Sequence, residues 1–136
     1  MTSTDVLRGV PLFEGMTERS VETIADLARP AQYATGAALT TEGEPGETFI
    51  VLRSGTADVE VGGTRVSGLG AGDYLGEISL IDHGPRMATV RADTALHTLT
   101  MAPFTFRPIL QSHPDVSYAV LVEMCNRVRM AGAVEC

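Results

Sequence analysis

Gly76-Glu77-Ile78-Ser79-Leu80 and, after five intervening residues, Arg86-Met87-Ala88-Thr89 are where the chemistry of this chain concentrates. A glycine turn opens a segment long enough for one or two helical turns. His83-Gly84-Pro85 then breaks it and delivers Arg86 to the start of a strand. Backbone N–H groups at a tight turn attract an anion. An arginine nearby can grip the same anion with a planar, two-pronged fork. Glu77, at the turn, can accept hydrogen bonds from sugar hydroxyls. Phosphate and ribose partners in so short a stretch suggest a nucleotide. On spacing alone, a loop carrying a surface arginine accounts for the same residues about equally well.

Other chemistries fit poorly. The histidines, His83, His97 and His113, are scattered and form no His-x-His pair, so no metal centre is expected. There is no Gly-x-Ser-x-Gly elbow and no cysteine near a credible base. Glu77 and Asp82 lack a water-activating partner that would make them an acid–base pair. No catalytic residue is assigned, and the chain is read as non-enzymatic.

The elements that must position the stretch follow from pattern. Thr4 or Asp5 can cap a short helix to about Val10, and Thr17 a second one, with Val21, Ile24, Ala25 and Ala28 on its apolar face and Pro30 stopping it. From Ala31 to Met101 glycines recur between short runs of Val, Thr, Leu and Tyr, as in a β-sandwich or barrel. Strands are predicted near 31–34, 38–41, 48–54, 56–61, 64–69, 87–92 and 95–101. Gly62-Gly63 reads as a two-residue hairpin turn. Ala57, Val59 and Val61 alternate with Asp58 and Glu60, two carboxylates on the opposite, solvated face. Pro103 opens a helix over 103–111, and a longer helix covers 115–130, where Val116, Val120, Met124 and Val128 form a stripe with Leu121 and Cys125 beside it. Cys125 reads as a small core residue. The stripe suits either the barrel or a copy of itself, a homodimer through the C-terminal helix.

The expected fold is therefore mainly β with flanking α: an antiparallel, jelly-roll-like β-roll at about 31–101, N-terminal helices at about 4–29 and two C-terminal helices at about 103–130. All of 1–136 is read as one domain. The net charge of −7 argues against nucleic acid or an anionic membrane as partner, and all 10 basic residues are arginine. No apolar run approaches the ~18 residues of a membrane span. Met1 to Asp5 lack the basic and apolar regions of a signal peptide, so the expected compartment is cytoplasmic.

With these elements in place, Gly76-Glu77-Ile78-Ser79-Leu80 followed by Arg86-Met87-Ala88-Thr89-Val90 closely resembles the phosphate-binding cassette of cyclic-nucleotide-binding domains. That family includes the regulatory subunits of cAMP-dependent protein kinase, the bacterial catabolite activator protein and cyclic-nucleotide-gated channels. The likeness extends over about residues 7 to 130. It takes in Pro11-Leu12-Phe13, Gly36, Glu42-Gly43-Glu44-Pro45-Gly46, Phe49 to Gly55, Asp58-Val59-Glu60-Val61 and Leu69-Gly70-Ala71-Gly72-Asp73.

The resemblance implies a sensor of a 3′,5′-cyclic nucleotide that moves its C-terminal helices on binding, with no other cofactor. It implies a ligand site of Gly76, Glu77, Ile78, Ser79, Arg86, Met87 and Ala88. Glu77 would take the ribose 2′-hydroxyl, Arg86 the cyclic phosphate, and the N–H groups of Ser79 and Met87 the rest of the cradle. Asp58 would orient Arg86, Val59 and Val61 would lie near the base, and Arg127 would serve as a lid. Met87 has no hydroxyl for a guanine amino group, which favours cAMP over cGMP; its bulk either crowds the ligand or turns into the core. The output would be a protein partner or a fused effector domain. A second reading keeps the fold without the ligand, as a protein-interaction module.

Overall fold

The computed structural model describes residues 2–130, with the backbone alone for Glu77, Ile78, Leu80, Arg127 and Met130. Helix α1 (Ser3–Arg8) is capped by Thr2, two residues before the earlier of the two expected caps, Thr4 and Asp5. Thr2 and Asp5 cap it reciprocally: the Thr2 hydroxyl accepts from the Asp5 N–H at 3.1 Å, and the Asp5 carboxylate from the Thr2 N–H at 3.2 Å. Asp5 is thus the third residue of the helix and Thr2 its cap. A 3-10 turn at Pro11–Phe13 leads to α2 (Glu18–Leu27), capped by Thr17. Helix α2 ends before Arg29 because the residue preceding a proline avoids the helical region. Pro30 itself sits in β1 (Arg29–Tyr33), an edge strand, where a missing N–H is tolerated.

The remaining strands are β2 (Ala38–Thr40), β3 (Phe49–Ser54), β4 (Ala57–Val61), β5 (Thr64–Leu69), β6 (Tyr74–Leu75), β7 (Thr89–Ala92) and β8 (Leu96–Met101). They form two four-stranded sheets, ordered β1-β8-β3-β6 and β2-β7-β4-β5, with antiparallel pairing throughout. The two-residue β6 is the strand that pattern missed. It pairs with the middle of β3, Leu75 opposite Ile50 and Tyr74 opposite Val51.

Strand β3 separates two hydrophobic cores. Phe49 and Val51 face the helices, with Leu99, Met101, Phe106 and Val120. Ile50 and Leu52 face the second sheet, with Ala57, Leu75, Val90 and Leu96. That is why Phe49-Ile50-Val51-Leu52 is uninterruptedly apolar: both of its faces are covered. Phe49 is ringed by Phe13, Tyr74 and Phe106, the last stacked on it at 4.9 Å.

Between β4 and β5, Gly62 (φ 61°) and Gly63 (φ 81°) make the expected two-residue turn, both in the left-handed region such turns require. The pairing then slips. Val61 lies opposite Thr64 and Glu60 opposite Arg65, but Val59 lies opposite Ser67. Val66 is the extra residue of a bulge and is 59% exposed.

Helices α4 (Pro103–Ser112) and α5 (Pro114–Met130) close the described chain. Val116 and Val120 are buried and Met124 packs at the margin, but Val128, Leu121 and Cys125 are exposed. Cys125 is therefore not the core residue the stripe suggested. The helix runs on past the core, so only its first turns have a hydrophobic partner among the described residues.

Asp115 fastens α5 to α2. Its carboxylate accepts from the Thr17 N–H at 3.0 Å and from Ser20 Oγ at 3.4 Å. Burial alone would push this carboxyl up; the hydrogen bonds from Thr17, Ser20 and the local backbone outweigh it and hold it below its ordinary value. A depressed folded-state value means the stabilisation is present above the unfolded value, about 3.9, and is lost as the pH falls through the folded one. Asp115→Asn is expected to lower stability by about 1 kcal/mol at pH 7. In urea melts that difference should shrink as the pH falls below the unfolded value and through the lower folded one.

Candidate ligand-binding site

Strand β6 ends at Leu75, and Gly76 turns the chain directly into a six-residue helix, α3 (Glu77–Asp82). Gly76 has φ 98°, and a Cβ there would stand 2.3 Å from the Thr48 carbonyl oxygen and 2.8 Å from Arg86 Nη1. Only glycine allows this turn to lie against the start of β3. Helix α3 stops at His83, in the left-handed region at φ 60°, whose N–H donates to the Ser79 carbonyl at 3.0 Å. The Asp82 carboxylate then accepts from the Gly84 N–H at 2.7 Å. Ser79 is buried, and its hydroxyl donates to the Pro85 carbonyl at 3.2 Å, tying the helix to the loop after it.

The loop returns Arg86 to the same place. Its backbone pairs with the turn before β3: the Gly43 N–H donates to the Arg86 carbonyl and the Arg86 N–H to the Glu44 carbonyl, each at 2.9 Å. The Arg86 side chain is 8% exposed, the only charged one in the buried class among the described residues. Its Nη2 donates to the Thr48 carbonyl at 3.0 Å. A Cβ on Gly46 would lie 2.7 Å from its Nε, so Gly46 and Gly76 both give up a side chain to make room for the guanidinium. Further on, the Thr40 hydroxyl bridges an irregularity between β2 and β7, donating to the Ala88 carbonyl at 3.0 Å and accepting from the Val90 N–H at 3.2 Å.

Beside Arg86 opens a cavity of about 260 Å³. Gly76, Ser79, Arg86, Met87 and Ala88 line one side; Thr40, Val59, Ser67, Leu69, Tyr74, Leu75 and Val90 complete it. One end is cationic with a hydroxyl beside it, and the rest is largely apolar. Such a lining suits a compact ligand with an anionic head and a flat, weakly polar body.

Six of the residues singled out from sequence therefore meet at one cavity: Gly76, Ser79, Arg86, Met87, Ala88 and Val59. Glu77 and Ile78 are the first two residues of α3, but their side chains, like that of Arg127 in α5, lie outside the described residues. Met87 is 64% exposed at the cavity's edge and is not turned into the core.

Two expectations need correction. Asp58 was expected to orient Arg86. Alternation along β4 points it away from Val59, and its carboxylate accepts from Arg65 Nε at 2.7 Å. Val61 was placed near the base; it is 42% exposed, next to the hairpin turn, and does not line the cavity.

Sequence reasoning missed Thr40, Ser67, Leu69 and Tyr74, and it read Gly46 only as a turn glycine. Ser67 was reachable through its register with Val59, had the bulge at Val66 been recognised. Among the described residues, no group of three or more His, Cys, Asp or Glu could hold a metal ion, and no helix is long and apolar enough to cross a membrane.

Residues 30–113 match the family model described as "Cyclic nucleotide-binding domain". The chain is 34% identical over 108 residues to a cAMP-dependent protein kinase regulatory subunit of Colletotrichum orbiculare, covering 78% of this chain and 28% of that protein. It is 36% identical over 113 residues to one from Mycosarcoma maydis, covering 76% and 22%. It thus spans about a quarter of the length of these curated relatives. Among solved structures, the regulatory domain of Toxoplasma gondii PKA with cAMP superposes with a TM-score of 0.80 at 25% identity, over 92% of this chain and 49% of that one. The N-terminal domain of a transcriptional regulator from Streptomyces coelicolor A3(2) gives 0.77 at 28% identity, over 95% and 94%.

Proposed function

Because this chain belongs to the cyclic nucleotide-binding domain family, we propose that the cavity beside Arg86 takes a 3′,5′-cyclic nucleotide and that the chain is a non-enzymatic sensor of it. The observation that carries this is the buried Arg86 guanidinium on the cavity wall, seated against the Thr48 carbonyl between two glycines. Arg86 pairs with the cyclic phosphate, and the backbone N–H groups of Ser79 and Met87 complete its cradle. Gly76 and Ala88 let the backbone approach closely, and Glu77, followed in α3 by Ile78, accepts the ribose 2′-hydroxyl. Val59, Ser67 and Leu69 face the base. Arg127 closes over the far end, as a lid on α5.

The ligand is cAMP in preference to cGMP, since Met87 offers no hydroxyl to a guanine amino group. The ligand shifts the C-terminal helices because it binds one of their arrangements better than the other. The response is read by a protein partner or a fused effector, such as the catalytic chain a kinase regulatory subunit would control. The closeness to those subunits, over about a quarter of their length, supports this assignment of output.

Thermal melting with and without nucleotide tests the reading. At ten times its dissociation constant, cAMP should add about 1.4 kcal/mol and raise the midpoint by several degrees. cGMP should need a higher concentration for the same shift. No shift with either, up to millimolar, would overturn the sensor reading and leave a ligand-free interaction module on the same fold.

A further inference from the structure

The short segment ahead of β3 touches two things at once. Gly46 and Thr48 face Arg86: the one leaves room for Nε, and the other accepts from Nη2 through its carbonyl. The residues between and after them face α4. The Glu47 carboxylate accepts from Arg107 Nη2, and the Phe49 ring stacks on Phe106. Four consecutive residues therefore hold the buried guanidinium with one side and the first C-terminal helix with the other.

His83 joins the same node. Its Nδ1 lies 3.2 Å from Glu47 Oε1 and 3.1 Å from Arg107 Nη2. That nitrogen either donates to the carboxylate or accepts from the guanidinium, according to tautomer. In both cases the residue that ends α3 is tied to the Glu47–Arg107 pair. The Arg107 guanidinium holds the Glu47 carboxyl below the usual carboxylate range, so Glu47 is ionised at neutral pH.

We propose that Glu47 is a positioning residue of the ligand site: through Gly46 and Thr48 it couples the seating of α4 to the placement of Arg86. It touches no ligand in this reading, which rests on the nucleotide site proposed above. Seating of α4 against Glu47 fixes the segment against which the guanidinium is aimed. By reciprocity, a ligand that fixes Arg86 favours the seated α4.

Calorimetric titration of cAMP into the wild-type chain, Glu47→Gln, Arg107→Gln and the double variant tests this, with Arg8→Gln as a control in the distant Arg8–Glu18 pair. Each single variant at the node should weaken binding at least about fivefold. The double variant should be no weaker than the worse single, because both break one link. Arg8→Gln should bind as wild type. Ligand-free melting of each variant identifies any that fails to fold; Arg107→Lys, which keeps the charge but loses the fork, then replaces Arg107→Gln and should fall between. Wild-type affinity in both single variants, or additive losses in the double, would overturn the coupling while leaving the nucleotide site standing. No binding by the wild-type chain would overturn both.

Discussion

Arg86→Ala is expected to weaken cyclic-nucleotide binding by two to three orders of magnitude and to leave the fold intact. Charge-assisted hydrogen bonds contribute about 1.5–3 kcal/mol each, and a guanidinium can offer a phosphate two of them in parallel. Losing both costs about 3–4 kcal/mol, which corresponds to the stated fall in affinity. The fold should survive because Arg86 belongs to neither hydrophobic core. Its backbone, which alanine retains, makes the two hydrogen bonds to Gly43 and Glu44. Arg86→Lys should recover only part of the loss: an ammonium is a point charge and cannot reproduce the fork. Calorimetry with matched melting curves checks this, and unchanged affinity in the alanine variant would place the phosphate elsewhere.

Gly76→Ala is expected to destabilise the protein by roughly 3 kcal/mol or more and to abolish binding. A left-handed backbone at φ 98° is strained for any L residue, and the new methyl would meet the Thr48 carbonyl at 2.3 Å. That carbonyl cannot retreat cheaply, since Thr48 leads directly into β3, the strand shared by both cores. Gly43→Ala is the internal comparison. Its φ is also positive, 82°, but nothing lies within 4 Å of the added carbon. It should show the conformational strain alone, about 1–2 kcal/mol. Equal urea midpoints for the two variants would mean that the close approach at Gly76 carries no cost.

The cassette was legible because its parts are local. A turn glycine, a short helix and an arginine lie within one stretch of chain, and their types alone suggest an anion site. The strands were legible because turn glycines punctuate them. What escaped depends on register or on distant contacts. Ser67 faces the cavity only because Val66 bulges out of β5, and counting back from the Gly62-Gly63 turn would have set Val66 opposite Val59 instead. Gly46 gives way to Arg86, 40 positions away, a contact no spacing rule reveals. Asp58 misled because a carboxylate on a strand next to a site can serve any arginine within reach, and Arg65, across the hairpin, is the one it meets. Cys125 misled because a helical stripe does not say how far the underlying core extends.

Strand β3 has a consequence for how the molecule comes apart. Phe49 and Val51 plug one core while Ile50 and Leu52, alternating with them, plug the other. The helical layer and the space between the sheets are therefore lined by the same four peptide units. Stripping either away uncovers a wall of its neighbour, so the two do not behave as separate foldons but as one cooperative unit. The helices that cover Phe49 and Val51 therefore rest on a floor that does not melt separately from the second core.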